Sequence, residues 1–398
     1  MLFDLYITDV QSIGHMESSD VTQTVQQPLT WRMRWVAWRN RILSSPRFQT
    51  WAARNRLMRP FARRKAGELF DLVAGFTYTQ TLLAFVESGL LERLSAGACR
   101  VADAAEVAGL SEEAAARLLK SASAIQLTEE VAPGVWMLGE RGASLQPQEG
   151  AKAMIRHHKL LYRDLADPLA LLRDNRQSPT ELSEFWRYAA RDQVSEESEE
   201  SVSPYSQLMA TSQAMVADEV LGAFDFRGVS SMLDVGGGHG AFASAVARAR
   251  PNLKLGIFDL PGVVDGARAR LGRDDSTCSI ALHSGDFFKD ALPFGYDCIS
   301  FVRILHDHDD TPAQALLDSA RRALPKGGRI LIAEPLADTT AAKAMGETYF
   351  GWYLWAMRSG RPRSAEEISK IVESAGFSRI KQLSTAQPMV TSVIVAFA

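Results

Sequence analysis

The 398-residue sequence predicts an α/β protein: a Rossmann-like, doubly wound domain closed by a C-terminal antiparallel hairpin, preceded by a mainly helical winged-helix domain. Three observations predict it. From Ser230 onward short apolar strands alternate with amphipathic helices, the pattern of a parallel sheet. The last two apolar segments, SRIKQLST and MVTSVIVAFA, leave no room for a helix between them and must pair antiparallel at the sheet edge. Upstream, a helix, a turn and a second helix precede a short strand pair around Pro133-Gly134.

Composition narrows the class. An apolar share of 46% and a charged share of 23% exclude a disordered chain. With 44 Lys+Arg against 47 Asp+Glu, the molecule as a whole presents no basic field to nucleic acid. Cys99, Cys278 and Cys298 are too few and too scattered for a disulfide framework or a zinc site. No secretory leader opens the chain, so a reducing, cytoplasmic compartment is expected.

Taken in order, residues 1–30 are rich in Ser, Thr and Gln and are expected to form a disordered tail. Residues 31–65 form an arm with eleven Lys or Arg, no acid, and four of the eight tryptophans. Trp31, Trp35 and Trp38 fall at helical spacing. Tryptophan favours the headgroup level and each basic residue beside an anionic leaflet adds about 1 kcal/mol, so this arm predicts an interfacial anchor with peripheral membrane contact. A seat on the acidic body of a partner subunit and contact with RNA are the alternatives. The apolar stretch Leu72–Val86 is too short to span a bilayer.

Residues 66–203 read as the helical winged-helix domain. Leu69, Leu72, Val73 and Phe76, then Leu82, Leu83, Val86 and Leu90, predict one or two packed helices. Ser111 is the expected N-cap of the helix after Gly109. That helix carries Glu112, Glu113, Arg117 and Lys120, a neutral set and a poor phosphate binder. Dimerisation or the wall of a substrate pocket is therefore expected in place of DNA binding. Residues 151–190 continue as helix, with Trp186 and Tyr188 near the end, and the acidic run from Asp192 to Glu200 reads as a solvated loop ending at Pro204. Residues 204–398 are the expected catalytic domain.

The chemistry sits at strand ends. Leu233-Asp234-Val235-Gly236-Gly237-Gly238-His239-Gly240 follows the first strand and opens a helix near Ala241, where Gly236, Gly238 and Gly240 allow a ligand close to the backbone. It also fits a dinucleotide fingerprint, but Asp234 is placed to attract a cationic group and not a pyrophosphate. Asp259 ends the second strand nineteen residues after Gly240, where an acid accepts ribose hydroxyls, and Asp286 with Phe287 ends the third, suiting an adenine amino group and ring face. After the fourth strand, His306-Asp307-His308-Asp309-Asp310 offers metal-ligand types, yet no later His or Cys completes a site and Asp309, Asp310 and Thr311 look like a capped helix start. No metal is expected. His306 is instead placed to take a proton, and Glu334, ending the fifth strand, to orient its imidazole.

LDVGGGHGAF, FDLPGVV, GDFF, ILHDHDD and ILIAEP, in this order, resemble the S-adenosylmethionine-dependent small-molecule O-methyltransferases of the caffeate and polyketide type. The resemblance runs from about Phe70 to the C-terminus. It implies a homodimer using S-adenosylmethionine, with Gly236, Asp259, Leu260, Asp286 and Phe287 on the cofactor, His306 as general base and Glu334 as its support. It also implies that Tyr205, Met209 and Ser212 line the methionine moiety and the acceptor pocket. One departure stands out: where members carry a second supporting glutamate, this chain reads Ser359-Gly360-Arg361-Pro362-Arg363-Ser364. The run from Ser45 to Gln80 is similar to the 1-hydroxycarotenoid O-methyltransferases of photosynthetic bacteria, which implies a hydrophobic alcohol as acceptor; a phenolic polyketide or a bacteriochlorophyll intermediate is the alternative.

Overall fold

A computed structural model describes residues 30–192, 204–272, 279–339 and 343–398; most of the N-terminal tail and of the acidic run lies outside these residues. The chain divides into two compact units, Met1–Thr77 and Tyr78–Ala398. In the first, helix Trp31–Leu43 is capped by the Thr30 hydroxyl, and helix Pro46–Arg54 starts with proline at its first position behind a Ser45 cap. The tryptophan spacing is helical as expected, and Trp31, Trp35, Trp38 and Trp51 are all exposed. A single helix, Arg59–Glu87, then crosses Lys65 without a break. The apolar residues of this helix were expected to pack. Leu83, Phe85 and Val86 are buried, but Leu69, Leu72, Val73 and Phe76 stand exposed. Periodicity reports that a face is apolar and not what covers it. The apolar stretch also proves to be part of a 29-residue helix that is long and apolar enough to cross a membrane by length and composition alone.

In the second unit, β1 (Cys99–Arg100), β2 (Thr128–Ala132) and β3 (Val135–Leu138) form the wing, in the order β1-β3-β2. Ser111 accepts from the Ala114 amide and caps the helix Glu112–Ala124. Leu90, Leu119 and Trp136 pack beneath the wing. The helical stretch expected over 151–190 is three helices, Glu149–Asp164, Pro168–Arg173 and Glu181–Asp192. Pro168 behind the Asp167 cap starts the second, and Asn175 and Arg176, both at positive φ, turn the chain toward the third.

The catalytic half is a seven-stranded sheet of β4 (Ser231–Val235), β5 (Lys254–Asp259), β6 (Ala281–Ser284), β7 (Cys298–Val302), β8 (Arg329–Glu334), β9 (Ser378–Leu383) and β10 (Ser392–Phe397). Its order is β6-β5-β4-β7-β8-β10-β9. The first five strands run parallel, and β10 lies antiparallel between β8 and β9, closing the edge as the sequence predicts. β4 and β7 are buried along their whole length because helices cover both faces. From β4 the chain goes first to β5 and β6 and then crosses to β7. The resulting crevice lies outside the carboxyl ends of β4 and β7.

Candidate active site

A cavity of about 850 Å³ opens at this crevice. One side is made by strand ends. Gly236, at positive φ, brings its amide to the Phe258 carbonyl, and a Cβ there would run into the Ile304 side chain. Asp259 accepts from the Gly238 and Leu260 amides at 2.8 Å each, so one carboxylate fixes the glycine turn and the start of the next helix. Burial, partly offset by these two amides, raises its pKa. Leu260, Asp286 and Phe287 line the same side. Phe287, Phe288 and His308 meet edge to face, with centroids 4.7–5.8 Å apart, as an aromatic box. Burial lowers the pKa of His308, so it serves there as a neutral ring.

Two of the expected cofactor contacts are placed differently. Asp234 does not face the cavity: it is buried under the turn, with Ser300 Oγ donating to its Oδ1 at 2.7 Å and its Oδ2 against Gly237. Burial pushes its pKa up to about 7. Gly240 also lies behind the wall, as the left-handed N-cap of helix Ala241–Ala249. Tyr205, Met209 and Ser212 fall on helix Pro204–Ala223, but their side chains lie outside the described residues.

His306 sits on a short 3₁₀ turn, Leu305–Asp307, just past β7 and is 5% exposed. Its backbone amide donates to Glu334 Oε1 at 3.1 Å, and that same oxygen lies 3.6 Å from Nδ1. Asp307 Oδ1 lies 3.2 Å from Nε2. Burial alone would lower the His306 pKa; the Asp307 and Glu334 carboxylates overcome it and raise the value. Asp307 is thus a second carboxylate beside the imidazole. The 359–364 segment also touches His306. Gly360, at φ +77, lies so close that a Cβ would strike the His306 carbonyl oxygen, and the Arg361 amide donates to that oxygen at 3.0 Å. Arg363, the largest fully buried side chain among the described residues, donates to the Leu305 and His308 carbonyls at 2.7 Å each and to Asp310.

The metal alternative for this segment fails on direction, since Asp310 faces Arg361 and Arg363. Among the described residues no group of three His, Cys, Asp or Glu is placed to hold a metal ion. The helix Asp310–Ala323 begins where expected, but the Asp309 carboxylate pairs with Arg176 at 3.0 Å and makes no cap bond.

The other side of the cavity was not anticipated. Met345–Phe350 winds as a π-helical turn and continues as the α-helix Gly351–Met357, presenting Met345, Tyr349, Phe350 and Tyr353 to the cavity. Trp186 and Met154 complete this side from the helical half. The aromatic density of MGETYFGWYLWAM was the available signal.

An adenosyl cofactor fits these residues. The turn has no side chain at Gly236 and Gly238, and Asp259 and Asp286 stand at successive strand ends on the cavity wall. Replacing Asp259 with asparagine should weaken S-adenosylhomocysteine binding by about 10–100-fold, read by calorimetry.

Comparison with known proteins gives the same direction. A family model for the O-methyltransferase domain matches residues 162–378. Demethylspheroidene O-methyltransferases of Cereibacter sphaeroides and Rhodobacter capsulatus are each 40% identical over 356 residues, spanning 89% of this chain and 93% and 88% of theirs. The structure of human N-acetylserotonin methyltransferase in complex with SAM aligns with a TM-score of 0.69 at 24% identity, over 84% of this chain and 97% of that one.

Proposed function

The chain belongs to the S-adenosylmethionine-dependent O-methyltransferase family, and from that membership we propose that it methylates the 1-hydroxyl of an acyclic carotenoid, with His306 as general base. The observation that carries this reading is the cavity's second side, built of Met154, Trp186, Met345, Tyr349, Phe350 and Tyr353 with no charged group among them. Such a wall suits the hydroxylated end of a hydrocarbon chain. The acceptor named by the two relatives at 40% identity is of that kind.

When bound, S-adenosylmethionine supplies a methyl already activated by its sulfonium. The protein's task is then alignment, which contributes up to ~7–11 kcal/mol. Asp259, Asp286 and Phe287 hold the adenosyl end. Glu334 anchors the His306 backbone amide and places a carboxylate on the Nδ1 side of the ring. Asp307 beside Nε2 stabilises the imidazolium that forms. An alkyl alcohol has a pKa near that of water, ~15.7, so His306 takes the proton as the carbon–oxygen bond forms and not before it.

The exposed Leu69, Leu72 and Val73 face is assigned to a second copy of the chain, giving a homodimer. The Trp-rich arm is assigned to the anionic surface of the inner membrane, where a lipid-dissolved acceptor is met. The test is methyl transfer from labelled S-adenosylmethionine to a detergent-dispersed 1-hydroxycarotenoid, with catechol beside it. Label in the carotenoid is expected; label in catechol alone would discard the acceptor while leaving the family intact.

A further inference from the structure

Behind the aromatic wall lies a second layer. Adjacent His157 and His158, on helix Glu149–Asp164, reach two tyrosines one turn apart on the facing segment. His157 Nε2 lies 2.8 Å from Tyr353 Oη, and His158 Nε2 lies 2.8 Å from Tyr349 Oη. Trp186 Nε1 donates to Tyr353 Oη at 3.1 Å. An indole N–H is a donor only, so Tyr353 accepts from it and spends its own proton on His157. Tyr349 and Tyr353 line the cavity, whereas neither histidine does. The hydroxyls are therefore drawn away from the cavity, and what faces it is ring carbon. Burial holds both histidines down to about 4, with His158 adding to the effect on His157, so this layer is uncharged at any physiological pH. The charged groups that line the cavity, Asp259, Arg270, Asp286, Arg303 and Asp307, come from the loops after the strands and from helix Pro261–Leu271, and none comes from the helical segments that carry the aromatic wall.

We propose that His157 and His158 are the positioning residues that set the acceptor class: by holding the two tyrosine hydroxyls behind the wall they keep it apolar, so that it takes a hydrocarbon chain bearing one hydroxyl in preference to a polyhydroxylated ring. This rests on the acceptor reading above and names the residues that enforce it. Freed from its histidine, a tyrosine hydroxyl turns into the cavity, where a hydrocarbon leaves it unsatisfied but a catechol hydroxyl bonds it.

The test compares KM and kcat for the detergent-dispersed 1-hydroxycarotenoid and for catechol across paired variants. His157→Phe and His158→Phe are expected to raise the carotenoid KM by about tenfold, to change kcat little, and to improve catechol. His157→Gln and His158→Gln, which keep a hydrogen-bonding atom toward the tyrosine, restore the wild-type ratio. His158→Phe combined with Tyr349→Phe also restores it, because no hydroxyl remains to turn inward. S-adenosylhomocysteine binding by calorimetry stays unchanged throughout, which separates selectivity from misfolding. Unaltered KM ratios in the phenylalanine variants would overturn the proposal. So would a large loss of carotenoid turnover in Tyr349→Phe or Tyr353→Phe alone, since the hydroxyls would then touch the acceptor. A wild-type protein that methylates catechol and not the carotenoid defeats the acceptor reading itself, and this proposal with it.

Discussion

Replacing His306 with alanine is expected to lower kcat by about 10²–10⁴-fold while S-adenosylhomocysteine binds as before. The imidazole is buried with a carboxylate near each ring nitrogen, Glu334 at 3.6 Å and Asp307 at 3.2 Å. Equal losses in turnover and cofactor affinity would mean that the side chain holds the pocket and not the proton. The pH profile gives a second check. Only the neutral imidazole accepts a proton, and the folded pKa is raised above the ordinary histidine value of 6.5. Activity should therefore rise with pH along a limb lying above 6.5, and Asp307→Asn should move that limb down by removing the largest of the raising influences.

Arg363→Ala is expected to destabilise the fold by about 3 kcal/mol and to reduce turnover in whatever protein remains folded. The guanidinium, 1% exposed, satisfies two carbonyls that flank His306 and also reaches Asp310. Alanine removes the side-chain donor from both carbonyls, leaving Leu305 with the His308 amide alone, and leaves a cavity behind. Lysine does not rescue it, because a single ammonium cannot reproduce the planar fork. Thermal unfolding followed by circular dichroism measures the first effect. A melting temperature within a degree of wild type would show that the loop carrying the base is held by other means.

The strand ends were legible because each carries its own local signal: an apolar run followed by an acid or a glycine cluster. Asp259, Asp286, His306 and Glu334 could be placed that way, one strand at a time, once the parallel sheet was inferred. For Asp234 that local signal is incomplete. Sequence gives its distance from the glycines but not whether it lies above or below the turn. The aromatic wall was invisible because its bonds join residues 191 and 196 positions apart, and no periodicity spans that gap. Pro362 looked like a loss of support for the base. Read in space, the neighbouring Arg363 secures the loop and Asp307 brings the carboxylate.

The cavity's two sides have separate origins in the chain. The cofactor ledge is made from loops after consecutive strands, each constrained by the register of the sheet behind it. The opposite wall is contributed by segments within 149–192 and 345–357, outside the sheet. Such an arrangement lets inheritance treat the two sides unequally. Side chains of the wall are free to be exchanged, lineage by lineage, for a new acceptor, while the strand ends that recognise adenosine persist. The trait that distinguishes one descendant of such a scaffold from another is then expected to be written in its helices, and kinship among them in its strands.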